Sequence, residues 1–172
     1  MKQATERIRL FKTVRDIPYR IAVGSEQDYC CSTKAAMLDK LLQTTGLRSR
    51  HIVCYFRWED FDIPKDIIAL PHEDPETHEY LEVWIPEKTA WAKVDATWDS
   101  RIRNMKIPIA EWDGLSDTKL AVSPLKTLSP ENSTKFIDNE TQDRDAYEAY
   151  MEKNREFFVA LNGWLDSMRR PL

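Results

Sequence analysis

The sequence has no long apolar run and no basic stripe, and each absence excludes a class of partner. No run approaches the roughly 20 apolar residues that a membrane helix needs, and residues 1–12 lack the apolar stretch of a signal peptide. The 25 basic residues are spread along the chain among 29 acidic ones, giving a net charge of -4. We therefore expect a cytoplasmic protein with no membrane partner and no nucleic-acid partner.

Cysteine and histidine are also scarce, which limits disulfides and metal sites. Two of the three cysteines, Cys30 and Cys31, are adjacent. This is a poor framework for structural disulfides, so we expect free thiols. No cysteine pair has the spacing of metal ligands, and His51 and His72 are expected at a strand edge and in a loop. We expect no metal and no cofactor, and we interpret the acidic run around Glu73 as a solvated loop rather than a calcium loop.

Apolar spacing predicts three helices. Residues 5–16 carry apolar side chains at helical spacing. A second helix begins near Cys31 and ends at Gly46, where a left-handed cap would stop it. Residues 141–169 repeat apolar side chains every three or four positions, which predicts a long amphipathic helix. Its aromatic stripe would either pack on the core or form a homo-oligomer interface.

The middle of the chain is rich in β-branched and aromatic residues, which predict strands. Residues 51–57 form the first strand, and a helical turn is expected around residues 66–70. Residues 78–85 and 91–95 flank a five-residue polar connection and predict an antiparallel hairpin. Residues 119–122 could add a short strand. These elements together indicate the α+β class.

The candidate chemistry depends on Cys31, His78 and Asp95. Cys31 stands at a helix start, where the dipole lowers a thiol pKa and free N–H groups could stabilise an oxyanion. His78 and Asp95 lie at the same end of the hairpin, and a carboxylate bonded to one imidazole nitrogen leaves the other free to accept a proton. The alternatives are that Cys31 is a small buried hydrophobe and His78 a surface residue in an acidic loop.

Gln27 and Tyr19 are further candidates, because each could donate a hydrogen bond to the oxyanion. Their alternative interpretations are a solvated loop residue and a packed aromatic ring.

Two blocks of the sequence resemble the transglutaminase-like superfamily, in its bacterial type. Residues 31–50 resemble the nucleophile helix, with a cysteine, a small residue four positions later, leucines, a glycine and a closing arginine. Residues 78–98 resemble the histidine strand and the tryptophan–aspartate strand, in the family's order. The resemblance covers roughly residues 5–100, and two blocks are stronger than either alone.

The resemblance implies a fold. We expect an α+β chain with a papain-like transglutaminase core, in which the nucleophile helix packs on an antiparallel sheet and a long C-terminal helix follows. Residues 1–172 would form a single domain, with a core at about residues 5–125 and a helical extension at about residues 138–170.

The resemblance also implies an activity and three roles. Cys31 would be the nucleophile, His78 the base and Asp95 the orienting acid, acting on a peptide or amide substrate. A thioester on Cys31 would be resolved by water or an amine, so protease, amidase, deamidase and cross-linker all remain open. Cys30 stands where the family usually has a small residue. The alternative function is a catalytically silent binding or scaffold module with the same fold.

Overall fold

The computed structural model describes residues 2–104 and 106–169. Their helices are α1 (Lys2–Arg15), α2 (Cys31–Gln43), α3 (Lys65–Ile68), α4 (Pro130–Gln142) and α5 (Arg144–Met168), with a 3-10 turn at Trp58–Asp60. Their strands are β1 (Ser49–Phe56), β2 (Glu76–Ile85), β3 (Ala90–Val94) and β4 (Lys126–Thr127). The α+β class is therefore confirmed. The predicted chain limits at residues 1, 170 and 172 lie outside the described residues.

The four strands form one antiparallel sheet in the order β3-β2-β1-β4. The predicted hairpin corresponds to β2 and β3, in which Leu81 pairs with Val94. On the other side of β2, His78 pairs with Cys54 of β1. The sheet thus places the candidate histidine in its second strand, at a position that pairs with β1 and precedes the stretch paired with β3.

Each face of the sheet has its own hydrophobic cluster. Leu81 of β2 packs with Leu38 and Leu42 on the buried stripe of α2. Tyr80 belongs to the opposite cluster, which includes the buried side of α5. Side chains two apart on a strand share a face, so His78 lies on the α5 side with Tyr80, and their rings are stacked. The sheet is therefore a middle layer between α2 and α5.

The predicted helix start at Cys31 is confirmed, since α2 begins at that residue. Gly46 has a φ of +80°, in the left-handed region that the predicted cap requires. The predicted strand at residues 119–122 was wrong, because residues 119 and 120 are irregular and residues 121 and 122 form a bend. The N–H of Ala121 donates to a side-chain oxygen of Asp95, 2.7 Å away, and is not available to a strand ladder.

The predicted C-terminal helix is confirmed as α5, which runs for 25 residues. Phe157, Phe158, Leu161 and Leu165 are fully buried in it, so core packing accounts for most of the aromatic stripe. Tyr147 is 55% exposed near its start. A homo-oligomer through α5 stays a prediction. Within residues 2–104 and 106–169, no helix combines the length and apolarity required to cross a membrane.

Candidate active site

The turn that carries the two cysteines is held by Asp28. One carboxylate oxygen of Asp28 accepts hydrogen bonds from Cys30 N at 3.0 Å and from Thr33 Oγ1 at 2.7 Å. The other oxygen accepts from Ala22 N at 2.9 Å. Cys30 is therefore the extended residue before the helix, and Cys31 is the first residue of α2. The aspartate two residues before the cysteine pair was the available sequence signal, because aspartate commonly bonds backbone two residues on.

The structure brings His78 and Asp95 together. Nε2 of His78 lies 2.8 Å from Oδ2 of Asp95, and the two side chains are 3% and 1% exposed. Burial alone would raise the pKa of Asp95, but the charge and hydrogen bond of His78, the N–H of Ala121 and the side chain of Thr97 lower it. Because an ionised carboxylate only accepts hydrogen bonds, Nε2 of His78 carries a proton.

The second ring nitrogen of His78, Nδ1, has no hydrogen-bond partner among the described residues. Only two buried, unpaired side-chain nitrogens or oxygens occur in that part of the chain, Trp58 Nε1 and Asp99 Oδ1. The unpaired Nδ1 is thus not sealed inside the core. With the proton on Nε2, a neutral ring presents the lone pair of Nδ1, which is the form that a general base requires.

The Cys31 thiol is half-buried and lies beside two groups. Its neighbours are the Cys30 thiol and the backbone N–H of Glu79, the residue after His78. The hydrogen bond between the two thiols, together with burial, raises the pKa of Cys31 well above its ordinary value. The same bond lowers the pKa of Cys30. The expectation that the helix start would lower the pKa of Cys31 was therefore wrong for this arrangement, because the neighbouring Cys30 thiol and burial both oppose ionisation.

No hydrogen bond joins the Cys31 sulfur to His78 within the described residues. The two residues approach each other through β2, because the N–H of Glu79 faces the sulfur. The structure thus brings the side chains of His78 and Asp95 into direct contact. It places the Cys31 sulfur beside Glu79, the residue next to His78.

The two oxyanion candidates have different surroundings. Gln27 is exposed, and its side-chain amide donates to the neighbouring carbonyl of Asp28 at 3.1 Å, so it is not brought to the cysteines. Tyr19 is buried, with its ring centre 4.6 Å from that of Trp98. Burial raises the pKa of Tyr19 well above its ordinary value, and the charges of Cys31 and Cys30 add to this shift. The Tyr19 hydroxyl is therefore within electrostatic reach of both thiols.

A second buried acid, Glu76, lies on the strand of His78 and was not identified from the sequence. Glu76 precedes His78 by two residues on the same face of β2, and it accepts a hydrogen bond from the Tyr150 hydroxyl at 2.8 Å. Burial raises the pKa of Glu76 to about 7. Burial, followed by the charge of Glu76, raises the pKa of Tyr150, and the charge of Cys31 contributes. Tyr150 was missed because it reaches this place only through the packing of α5.

An open cavity of about 590 Å³ lies between α2, β1, β2 and α4. Its lining residues are Ser32, Thr33, Ala36, Ser49, Arg50, His51, Glu79, Thr134, Ile137 and Asp138. Nδ1 of His51 is hydrogen-bonded to the carboxylate of Glu79, which raises the pKa of His51. Glu79 connects the cavity to the thiol, because its side chain lines the cavity while its N–H faces Cys31.

Comparison with known proteins found no matching family model, no matching curated protein and no matching solved structure.

Proposed function

We propose that the chain is a cysteine-dependent enzyme of the transglutaminase-like kind that transfers an acyl group or hydrolyses an amide. Cys31 is the nucleophile, His78 the base and Asp95 the orienting acid. The observation that carries this proposal is the buried His78–Asp95 pair, 2.8 Å apart, with the second nitrogen of the imidazole left unpaired. A structural histidine in a core would satisfy both nitrogens.

The reaction follows from these groups. Nδ1 of His78 accepts the thiol proton while the Cys31 sulfur adds to the carbonyl carbon of a peptide or amide. The imidazolium then gives that proton to the leaving nitrogen, the C–N bond breaks, and a thioester remains on Cys31. Water or an amine adds to the thioester and releases the sulfur. Asp95 stabilises the imidazolium in both halves without taking its proton.

The oxyanion would be stabilised by the first turn of α2. The first bond of this helix runs from Lys34 N to Cys30 O at 3.0 Å, so the three preceding amides have no partner within the helix. N–H groups at a helix start are suitable donors to a developing negative charge. The Tyr19 hydroxyl, near both thiols, is a second donor from the side-chain side.

A silent binding module is the second candidate function, and one observation favours it. The Cys31 sulfur has no hydrogen bond to His78 among the described residues, and the adjacent Cys30 thiol and burial raise its pKa. In the enzyme, the sulfur has to turn toward Nδ1 when substrate binds. In a binding module, no such movement occurs, and the His78–Asp95 pair is a remnant of the fold.

A panel of acyl substrates separates the two functions. Wild type and Cys31→Ala are compared on peptide amides, glutamine side-chain amides and activated esters, with and without a primary amine. Cys54→Ala is the matched control, because Cys54 is a buried thiol whose pKa burial raises to about 12. We expect turnover in wild type and the control, with an acyl adduct on Cys31 by mass spectrometry. Identical profiles for wild type and Cys31→Ala would rule out the enzyme.

A further inference from the structure

Lys34 is a fully buried lysine on the helix that carries Cys31. Its side chain is 0% exposed, although lysine is almost never buried unless its charge is paired. The ammonium donates to three backbone carbonyls: Arg15 at 2.9 Å, Ile17 at 2.8 Å and Thr97 at 2.7 Å. Three acceptors match the three N–H donors of an ammonium group. The lysine is thus fully satisfied by backbone.

These carbonyls belong to separate parts of the chain. Arg15 and Ile17 lie at and just beyond the end of α1, where carbonyls have no partner within the helix and a cation is favoured. Thr97 follows β3, two residues after Asp95. A single side chain therefore joins α2 to the end of α1 and to the segment that carries the candidate acid.

The contacts continue to the histidine. The N–H of Thr97 donates to Oδ1 of Asp95 at 3.1 Å, and Oδ2 of Asp95 bonds His78 at 2.8 Å. Lys34 lies three residues after Cys31 on α2, so both ends of this chain of bonds reach the candidate site. Burial lowers the pKa of Lys34 to about 7, and the charges of Asp99 and Asp95 oppose the shift.

We infer that Lys34 is a positioning residue that fixes the nucleophile helix to the Thr97–Asp95–His78 chain of hydrogen bonds. The inference rests on the proposed function for its importance to catalysis. Its structural content does not: Lys34 determines where the Thr97 carbonyl lies, Thr97 determines the orientation of the Asp95 carboxylate, and Asp95 determines the tautomer of His78. An apolar side chain here would fill the space but leave two buried carbonyls and one half-buried carbonyl without donors.

Two measurements that need no substrate test the inference in Lys34→Met, which removes all three donors and keeps an unbranched chain. The first is the ¹⁵N chemical shift of the two ring nitrogens of His78, which reports the tautomer. The second is hydrogen exchange of the Thr97 amide. Lys40→Met is the matched control, because Lys40 is an exposed lysine on the same helix.

In Lys34→Met we expect a mixture of His78 tautomers and Thr97 exchange accelerated at least about tenfold beyond the change at other core amides. If turnover is observed, kcat should fall while KM changes little, because substrate contacts are retained. Lys40→Met should match wild type in every measurement. A folded Lys34→Met protein with wild-type His78 shifts, and with Thr97 exchange following the global stability, would reduce Lys34 to a packing residue and overturn the inference.

Lys34→Gln is the second variant, used if Lys34→Met does not fold, since its amide retains two donors. We expect intermediate values of both measurements. If neither variant folds, the wild type decides: slowly exchanging Nζ protons of Lys34 with contacts to Thr97 support the inference, and rapidly exchanging ones overturn it. Failure of the acyl-transfer proposal appears separately, as absence of turnover in wild type with the tautomer effect intact.

Discussion

Replacing Asp95 with asparagine removes one charge from the interior and leaves the shape of the side chain unchanged. The carboxylate accepts three hydrogen bonds: Oδ1 from Thr97 N, and Oδ2 from Ala121 N and His78 Nε2. An amide has one oxygen and one NH₂ group, so it cannot accept from both sides. The two orientations of the amide have different consequences for His78.

With the new oxygen facing His78, the NH₂ group opposes the N–H of Thr97. With the NH₂ group facing His78, the N–H of Ala121 loses its acceptor, and Nε2 has to become an acceptor itself. Each orientation leaves one buried N–H unpaired, so Asp95→Asn should lower the free energy of unfolding by about 1–3 kcal/mol. Only the second moves the ring proton to Nδ1 and eliminates the base, which should lower the rate by roughly 10²–10⁴-fold.

Urea unfolding measures the stability, and ¹⁵N spectra of the His78 ring identify the orientation. The first orientation should keep some activity, as an amide that still accepts from the imidazole preserves the tautomer. Asp117→Asn is the control, because Asp117 is exposed and accepts one backbone N–H, from Lys93. If Asp95→Asn matches wild type in stability, tautomer and rate, the carboxylate does not orient His78.

The difference in stability between wild type and Asp95→Asn should depend on pH. The folded pKa of Asp95 lies below its ordinary value, so its stabilising contribution is present above that value and is lost as pH falls through the folded pKa. Asparagine has no such dependence. The stability difference between wild type and Asp95→Asn should therefore shrink in acid, and a difference that grows in acid would contradict the lowered pKa.

Three further predictions concern the two thiols, the cavity and the buried Glu76. Cys30→Ala should lower the pKa of Cys31 and speed its alkylation by iodoacetamide at neutral pH, whereas Cys31→Ala should slow alkylation of Cys30; rates unchanged in both would contradict the thiol–thiol bond. Ala36→Phe should fill the cavity, so KM should rise while the rate of Cys31 alkylation stays unchanged. Ala149→Phe, at an exposed position on α5, should change neither quantity. Glu76, whose folded pKa is about 7, should lose up to about 3 kcal/mol of stabilisation as pH rises from 4.5 through 7, and Glu76→Gln should remove this slope in urea titrations.

Local patterns in the sequence predicted much of the fold. The hairpin of β2 and β3, the start of α2 at Cys31 and the left-handed Gly46 each depend on neighbouring residues, so alternation and turn chemistry identify them. The helix α4 was not predicted, although Ser129 caps it, accepting from Asn132 N at 3.2 Å, and a proline follows at its first position. These are the ordinary signals of a helix start.

The supporting contacts of the site could not be predicted, because they join residues far apart in the chain. Lysine is typical of exposed helix positions, and the partners of Lys34 are three backbone carbonyls, which carry no sequence signal. Tyr150 meets Glu76 across 74 positions. Ala121 is likewise distant in the chain from Asp95, and its N–H donates to the Asp95 carboxylate instead of to a neighbouring strand. Periodicity identifies which face of an element is buried, but not which polar group satisfies another.

The two adjacent thiols have different surroundings, which bear on which of them attacks. Cys30 lies outside the helix, with its sulfur 3.1 Å from Ser32 Oγ and its N–H on Asp28, whose charge opposes ionisation of its thiol. Cys31 faces β2, where the N–H of Glu79 meets its sulfur one residue from His78. Geometry therefore favours Cys31 for attack, while its resting pKa disfavours ionisation. Both facts are consistent if the Cys30 sulfur stabilises the protonated Cys31 thiol at rest, because turning the Cys31 sulfur toward His78 removes the interaction that raises its pKa.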